Sequence, residues 1–396
     1  MFLLNKTMPW MAAALLAAAS AFGQDTCQPR QDKCPMKPEA CPAPCNVKEM
    51  KAGMPAYNSP SGIQVCGWDH YGSVSFLYWQ PSQDNMEIGL TDQLSVGALG
   101  AGFKGTFIQQ EFDYHPGFKL GLGRDLNMDN WDLYAEYTYL HGATSVSPNN
   151  APGGIYPSWG NPFIYLNQGA QLYTSAYSKW RCNLDLLDLE LGRSYFVGTC
   201  LTFRPAIGLR AAWIQQSMHN QYVYSGAPAS QGLVFTGNNG LAIFANNGTS
   251  DIYNRSHSWA LGTRAGINTD WMVGQGLRFY GNGYADILYT KYKIQSKHVF
   301  TNASNGVTPG AFQFLISRSH VGVLRTHLDL ELGTGWGMYL DDNNWHIDFS
   351  AGYGFQVFFD QNMFKRATTS NAPGIRASES GNLYIQGLTA TARLDF

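Results

Sequence analysis

Charge is scarce in this sequence, and so is any hydrophobic run long enough to cross a membrane as a helix. Only 14% of its 396 residues are Asp, Glu, Lys or Arg, against about 25% in an average soluble domain. The net charge of −2 leaves no basic excess for a nucleic-acid partner. No stretch beyond the first residues reaches the ~18 apolar residues that a spanning helix needs. Aromatic residues and glycine are plentiful instead: 22 Tyr, 22 Phe, 11 Trp and 43 Gly. Mean hydropathy is nevertheless slightly negative, at −0.22. A chain in which lipid-facing and water-facing residues alternate averages to such a value.

Lys6 precedes a small-residue apolar run from Met8 to Phe22. The run ends in Ala19-Ser20-Ala21 and Ala21-Phe22-Gly23, either of which fits an A-x-A-like cleavage site. Residues 1–23 read as a secretory signal peptide, so the protein is expected to leave the cytoplasm. Residues 24–67 form a second segment, rich in Pro, Lys, Gln and Cys and without periodicity. Five of the seven cysteines lie there: Cys27, Cys34, Cys41, Cys45 and Cys66. Four of them could in principle hold zinc, but an oxidising compartment and irregular spacing favour disulfides. Cys200 falls in a short turn on the same expected periplasmic side, and Cys182 near the opposite end of its strand. Seven is odd, so at least one thiol is free or bonded to another chain. Two readings stay open for this segment: an arm that cross-links barrels to each other or to envelope proteins, and a local disulfide knot.

From Asp69 onward apolar and polar residues alternate with the period of two that puts side chains on opposite faces of a strand. Such runs occur near 69–81, 118–123, 131–139, 180–194, 201–215, 259–268, 277–292, 321–339, 345–353 and 383–396. The fourth run changes phase between Leu186 and Leu187, which suggests a β-bulge. Short turns near 125–130, 195–200, 270–276 and 340–344 alternate with long polar loops near 81–116, 142–179, 217–257, 293–320 and 360–380. Short periplasmic turns and long outer loops are the layout of bacterial outer-membrane barrels. Residues 68–396 therefore read as an all-β fold, a transmembrane antiparallel barrel of about ten strands. Twelve or more stay possible, since Gly232 to Asn246 resembles a further hairpin. Trp131, Tyr139, Trp213, Tyr339 and Trp345 near strand ends are expected to form the aromatic girdles. The last run places Leu388, Ala390, Ala392, Leu394 and Phe396 on one face, opposite Arg393 and Asp395. Such a strand ending on an aromatic resembles an outer-membrane assembly signal carried by Leu388, Leu394 and Phe396, and implies the barrel assembly machinery and outer-membrane lipid as partners.

Charges on a lipid face cost about 2–4 kcal/mol each for Arg or Lys at mid-membrane, so the alternation assigns them to the lumen. That face carries Lys119, Arg204, Arg210, Arg264, Arg278 and Arg325. It also carries Asp132, Glu136, Asp185, Asp188, Glu190, Asp286, Asp329, Glu331 and Asp348. They can line a water-filled path and set its selectivity, or pair across a narrow interior and close it. Carboxylates outnumber cations here, which hints at a weak cation preference. Some ten-stranded barrels are proteases, and catalysis would need a His beside carboxylates at the outer rim. His115, His141 and His320 lie near that rim with Asp113 and Asp360, but no compact motif links them. No catalytic residue, cofactor or metal is therefore expected.

Several stretches resemble the Legionella-type major outer membrane protein family, which includes pore-forming proteins of chlamydia-related bacteria. They are Phe76-Leu77-Tyr78-Trp79, Trp131-Asp132-Leu133-Tyr134, the run from Leu186 to Arg193, the run from Arg204 to Ile214, and Gln386 to Arg393. The segment from 186 to 214 is the most specific. The resemblance covers about residue 69 to the end and leaves the cysteine-rich segment unaccounted for. It implies an outer-membrane porin passing small solutes or ions; the alternative is a closed barrel serving as a surface adhesin or structural protein.

Overall fold

The computed structural model describes residues 69–92, 105–126, 129–148, 154–159, 164–165, 173–197, 200–224, 233–236, 242–245, 248–302, 310–341, 344–367, 376–378 and 381–396. The signal-peptide run and five of the cysteines lie outside them. Ten strands make a closed up-and-down barrel. They are β1 (His70–Gln83), β2 (His115–Asp125), β3 (Trp131–Val146), β4 (Ser175–Arg193), β5 (Leu201–Tyr224), β6 (Gly248–Gly274), β7 (Leu277–Asn302), β8 (Gly310–Leu340), β9 (Trp345–Phe358) and β10 (Leu383–Asp395). Each pairs antiparallel with its sequence neighbours, and β10 closes on β1 with Tyr71 opposite Asp395 and Gln83 opposite Leu383. At the seam, His70 and Phe396 exchange backbone hydrogen bonds of 3.1 and 2.9 Å. Closure pairs every one of the ten strands on both sides within the lower barrel, where an open edge would otherwise be exposed.

Three of the tight turns run through positive φ. Asp129 and Asn130 turn β2 into β3, Gln275 and Gly276 turn β6 into β7, and Asp341 begins the β8–β9 turn. Asp and Asn enter the left-handed region more readily than other non-glycine residues. Beyond the opposite rim the connections carry small sheets of their own. Glu87–Asp92 pairs with Gly105–Gln109 and with Ile155–Pro157. Leu233–Thr236 pairs with Ala242–Ala245, the hairpin anticipated near 232–246, and with Ile164–Tyr165. Neither sheet joins the wall.

The wall is uneven in height. β2 has 11 residues and β10 has 13, whereas β8 has 31, β6 has 27, β7 has 26 and β5 has 24. A barrel strand crosses the hydrocarbon core in about 9–11 residues. Much of the segments 217–257 and 293–320, expected as polar loops, is thus a continuation of strands above the membrane. The physical reason is an inversion of faces. In the lower barrel the outward residues are apolar and well exposed, with Leu332 at 72%, Leu324 at 68% and Ile207 at 63%. Higher up, the inward residues become apolar and the outward ones polar. On β5, Leu209 faces out and Arg210 in, but Ile214 and Met218 face in while Gln215 is exposed.

The same inversion removes the bulge expected in β4. Its register is continuous: Leu186 opposes Thr138 and Ala212, and Leu187 opposes Tyr137 and Ala211. The backbone keeps its phase, and the hydrophobic face changes sides where the strand leaves lipid.

Candidate functional site in the barrel interior

Three layers fill the interior. The layer nearest the short turns is built of arginine–carboxylate pairs. Arg204 donates to Asp132 through Nε (2.8 Å) and Nη2 (2.7 Å), and Tyr71 donates to the same carboxylate at 2.8 Å. Arg278 grips Asp348 with both terminal nitrogens and reaches Asp270 through Nε at 2.9 Å. Arg393 lies over the Tyr71 ring and donates to Asp395, which also meets His346 Nδ1 at 2.8 Å.

Above it lies a denser lattice. Arg210, 2% exposed, donates to both oxygens of Asp188 at 2.6 Å and to Asp286 at 2.9 Å. His327 Nδ1 sits 2.5 Å from Asp286, and Arg264 joins Glu190 (2.9 Å), Asp286 (3.3 Å) and Asp329 (3.4 Å). Tyr284 packs under the Arg264 guanidinium and donates to Glu190 at 3.0 Å. Toward β2 and β3, Lys119 pairs with Glu136 at 3.1 Å, while Tyr134 donates to Glu136 and Tyr280 to Glu331. The large groups fit because glycines face them: a Cβ on Gly121 would meet the Tyr134 hydroxyl at 2.0 Å, and one on Gly123 the Tyr71 ring at 2.0 Å.

The third layer is apolar. Leu77, Trp79, Leu140, Leu184, Leu186, Ile214, Leu288, Phe358, Leu383 and Ile385 are almost completely buried together. Two connections fold onto it. Tyr222 donates to the Ile88 carbonyl at 2.6 Å, and Gln361 bridges Tyr292 and Ser258. Arg366 ties the two together through Glu87 at 2.8 Å. Partial burial raises the Glu87 pKa, but the bonds from Arg366 and from backbone outweigh it and hold the carboxyl below its ordinary value.

One side of this upper interior stays polar. Ser256, Ser258, Gln216, Asn220, Asn254, Thr290 and Ser296 face inward from β5, β6 and β7 and are buried. Both side-chain polar atoms of Gln216 and of Asn254, and Nδ2 of Asn220, have no hydrogen-bond partner. This column was hidden in the sequence, because short polar residues in a stretch with polar outward neighbours look like loop.

The residues assigned to the lumen face the interior with one correction. Lys119, Asp132, Glu136, Asp188, Glu190, Arg204, Arg210, Arg264, Arg278, Asp286, Arg325, Asp329, Glu331 and Asp348 all point inward. Arg325 does so at the upper level, where it meets Asp360 at 3.3 Å and lies over Tyr292. Asp185 points outward, opposite Tyr139 and Trp213, where Tyr137 (2.7 Å) and His141 (3.2 Å) hold it. Its misassignment follows from the bulge that is not there. Tyr339 likewise faces inward, beside His346. Trp271, Trp336 and Trp345 are exposed toward the short-turn end of the outer surface, and Trp259 and Tyr289 toward its upper end.

Of the rim histidines, His141 alone meets a carboxylate, on the outer wall. His320 is exposed on the outside of β8. Asp360 pairs with Arg325, so these groups are not gathered into one site. Leu388 faces lipid at 57% exposure, and Phe396 stacks on His70 and packs at a tilt against Trp345. Cys182 is buried in the wall of β4, far along the hairpin from Cys200 at its turn.

An up-and-down barrel with an apolar exterior band, aromatic residues at its edges and a charge lattice inside at the level of that band is an outer-membrane β-barrel protein. The chain belongs to the family of the Legionella pneumophila major outer membrane protein precursor, whose model matches residues 66–396. No curated protein matches it. Among solved structures, the outer membrane protease OmpT from Escherichia coli aligns at 11% identity over 85% of this chain and 99% of its own, with a TM-score of 0.40. A Pseudomonas aeruginosa FadL homologue aligns at 8% identity over 83% and 90%, with a TM-score of 0.25. The P. putida toluene transporter TodX aligns at 11% over 83% and 90%, with a TM-score of 0.24.

Proposed function

We propose that this protein is a narrow porin, passing small polar solutes or ions by diffusion, with no catalytic role. The observation that carries the reading is the polar column on β5, β6 and β7. Buried polar groups in native proteins nearly always have a partner, and orphans call for water or a solute. Gln216, Asn220 and Asn254 are such orphans, and they stand on strands that also carry the charge lattice, separated from it by Ala212, Ile214 and Ala260 of the apolar layer. Water and small solutes supply the missing bonds, and the lattice below selects by charge. Single-channel recording of the refolded barrel tests this. Discrete ohmic steps are expected, reduced several-fold by Gln216→Leu with Asn254→Leu. The sign of the reversal potential in a salt gradient reports whether inward carboxylates or arginines dominate.

The apolar layer and the two connections folded on it favour a second reading, a barrel closed at rest whose outer loops carry a binding or structural role. A folded, heat-modifiable protein that stays silent in the bilayer would select it. The disulfide-linked role of residues 24–67 belongs to the same proposal and is read from non-reducing gels of isolated envelopes, where monomer alone would exclude cross-linking.

A further inference from the structure

The cations inside the barrel are matched to carboxylates; a second set outside is not. Above the apolar band, the outward faces of β6, β7 and β8 carry Arg255 and His257, then Lys291, Lys293 and Lys297, then Arg318 and His320. All seven are exposed. They are neighbours by register: His257 opposes Lys293, which opposes His320, and Gln295 sits between Arg255 and Arg318. Among the described residues none of the five Lys and Arg side chains takes part in an ion pair. No acidic residue occupies the outward positions between them. The nearest on these strands, Asp251, is held by His219 at 2.8 Å and by Gln221 at 2.9 Å.

Position gives this patch its meaning. Trp259 and Tyr289 mark the upper edge of the apolar band on β6 and β7, and Lys291 lies over both rings at 5.4 and 5.9 Å. His257 and Lys293 are the next outward positions above Trp259 and Lys291. The cations therefore stand at headgroup height on the outer wall, not at the barrel mouth. The patch is also one-sided: the matching positions on β1 and β10 are Gln80, Ser82, Gln386 and Tyr384. Clustered unpaired Lys and Arg at a membrane surface attract anionic lipid headgroups. Arginine adds bidentate hydrogen bonding to phosphate.

We infer that the outer wall of β6, β7 and β8 is a docking site for the phosphorylated headgroup of an outer-leaflet lipid, with Arg255, Lys293 and Arg318 at its centre. Acyl chains lie against Leu261, Ile287 and Leu324 below, and phosphates meet the cations above. The site is independent of conduction through the lumen.

The test uses the full chain refolded in neutral detergent, with lipid retention followed by native mass spectrometry. The probes are diphosphorylated lipid A, the same lipid without phosphates, and inorganic pyrophosphate. Diphosphorylated lipid A is expected to bind at least tenfold more tightly than the dephosphorylated form, and to weaken as salt rises. Replacing Arg255, Lys293 and Arg318 together by Gln should lower its affinity tenfold or more while heat-modifiable mobility is kept. Equal binding of the two lipids, or unchanged affinity in a folded triple variant, overturns the site. Pyrophosphate binding as tightly as the lipid overturns the lipid as its occupant. The comparison of the two lipids on the unaltered protein decides even where the triple variant does not fold.

Discussion

At the scale of single residues, Arg210 holds the most consequential position. Its guanidinium is fully withdrawn from solvent and serves Asp188 and Asp286 at once. Removing one partner of a buried ion pair leaves an uncompensated charge, at a cost of about 3–5 kcal/mol. Arg210→Met is therefore expected to destabilise the barrel by that order. Arg210→Met combined with Asp188→Leu should recover part of the loss, because both desolvated charges disappear together. Urea unfolding in vesicles measures both variants. Equal stability of the single and double variants would contradict a coupled lattice. The members of the lattice were legible in the sequence as charged residues on one face of apolar strands. Their partners were not, since Arg210 meets Asp286 across β6 and no local spacing encodes that.

At the scale of elements, each tall strand has two halves with opposite rules. The outward position Leu330 lies within the apolar band of β8, at 55% exposure. Leu330→Arg places a charge in lipid and should cost about 2–4 kcal/mol. His320→Arg, further up the same face of the same strand, should stay within about 0.5 kcal/mol, as for an exposed surface site. Unfolding midpoints in vesicles compare the two. Equal penalties would mean that the band does not end between Leu324 and His320. This inversion also explains what sequence reading missed. All ten strands were legible, because alternation in the lower barrel follows the lipid rule throughout. Their upper halves read as loops because polar outward residues such as Lys293 and Lys297 were weighed without the inward Tyr292, Ile294 and Phe300 that pack behind them. Asp185 was assigned to the wrong face for the same reason: it lies just past the point where polar residues stop meaning lumen.

At the scale of the molecule, closure depends on one seam, and the seam joins the two strands that are farthest apart in sequence. β1 and β10 share thirteen paired positions from Tyr71–Asp395 to Gln83–Leu383. Side chains reinforce them through Ser75–Thr391 at 2.8 Å and Trp79–Thr389 at 3.1 Å. Contacts of such separation carry a large loop-closure cost before they return any stability, and they form late. Phe396 lies at the lower end of the seam, bonded through its backbone to His70 and packed against the His70 and Trp345 rings. Phe396→Ala removes the ring contacts and keeps the backbone bonds. Assembly should then slow several-fold, while the barrels that do form stay nearly as stable as the parent. Pulse-labelling, with the heat-modifiable band as readout, separates the two effects. A large loss of stability in the assembled fraction would show that Phe396 acts through packing at the seam; a slow rate alone would show that it acts while the barrel is being closed.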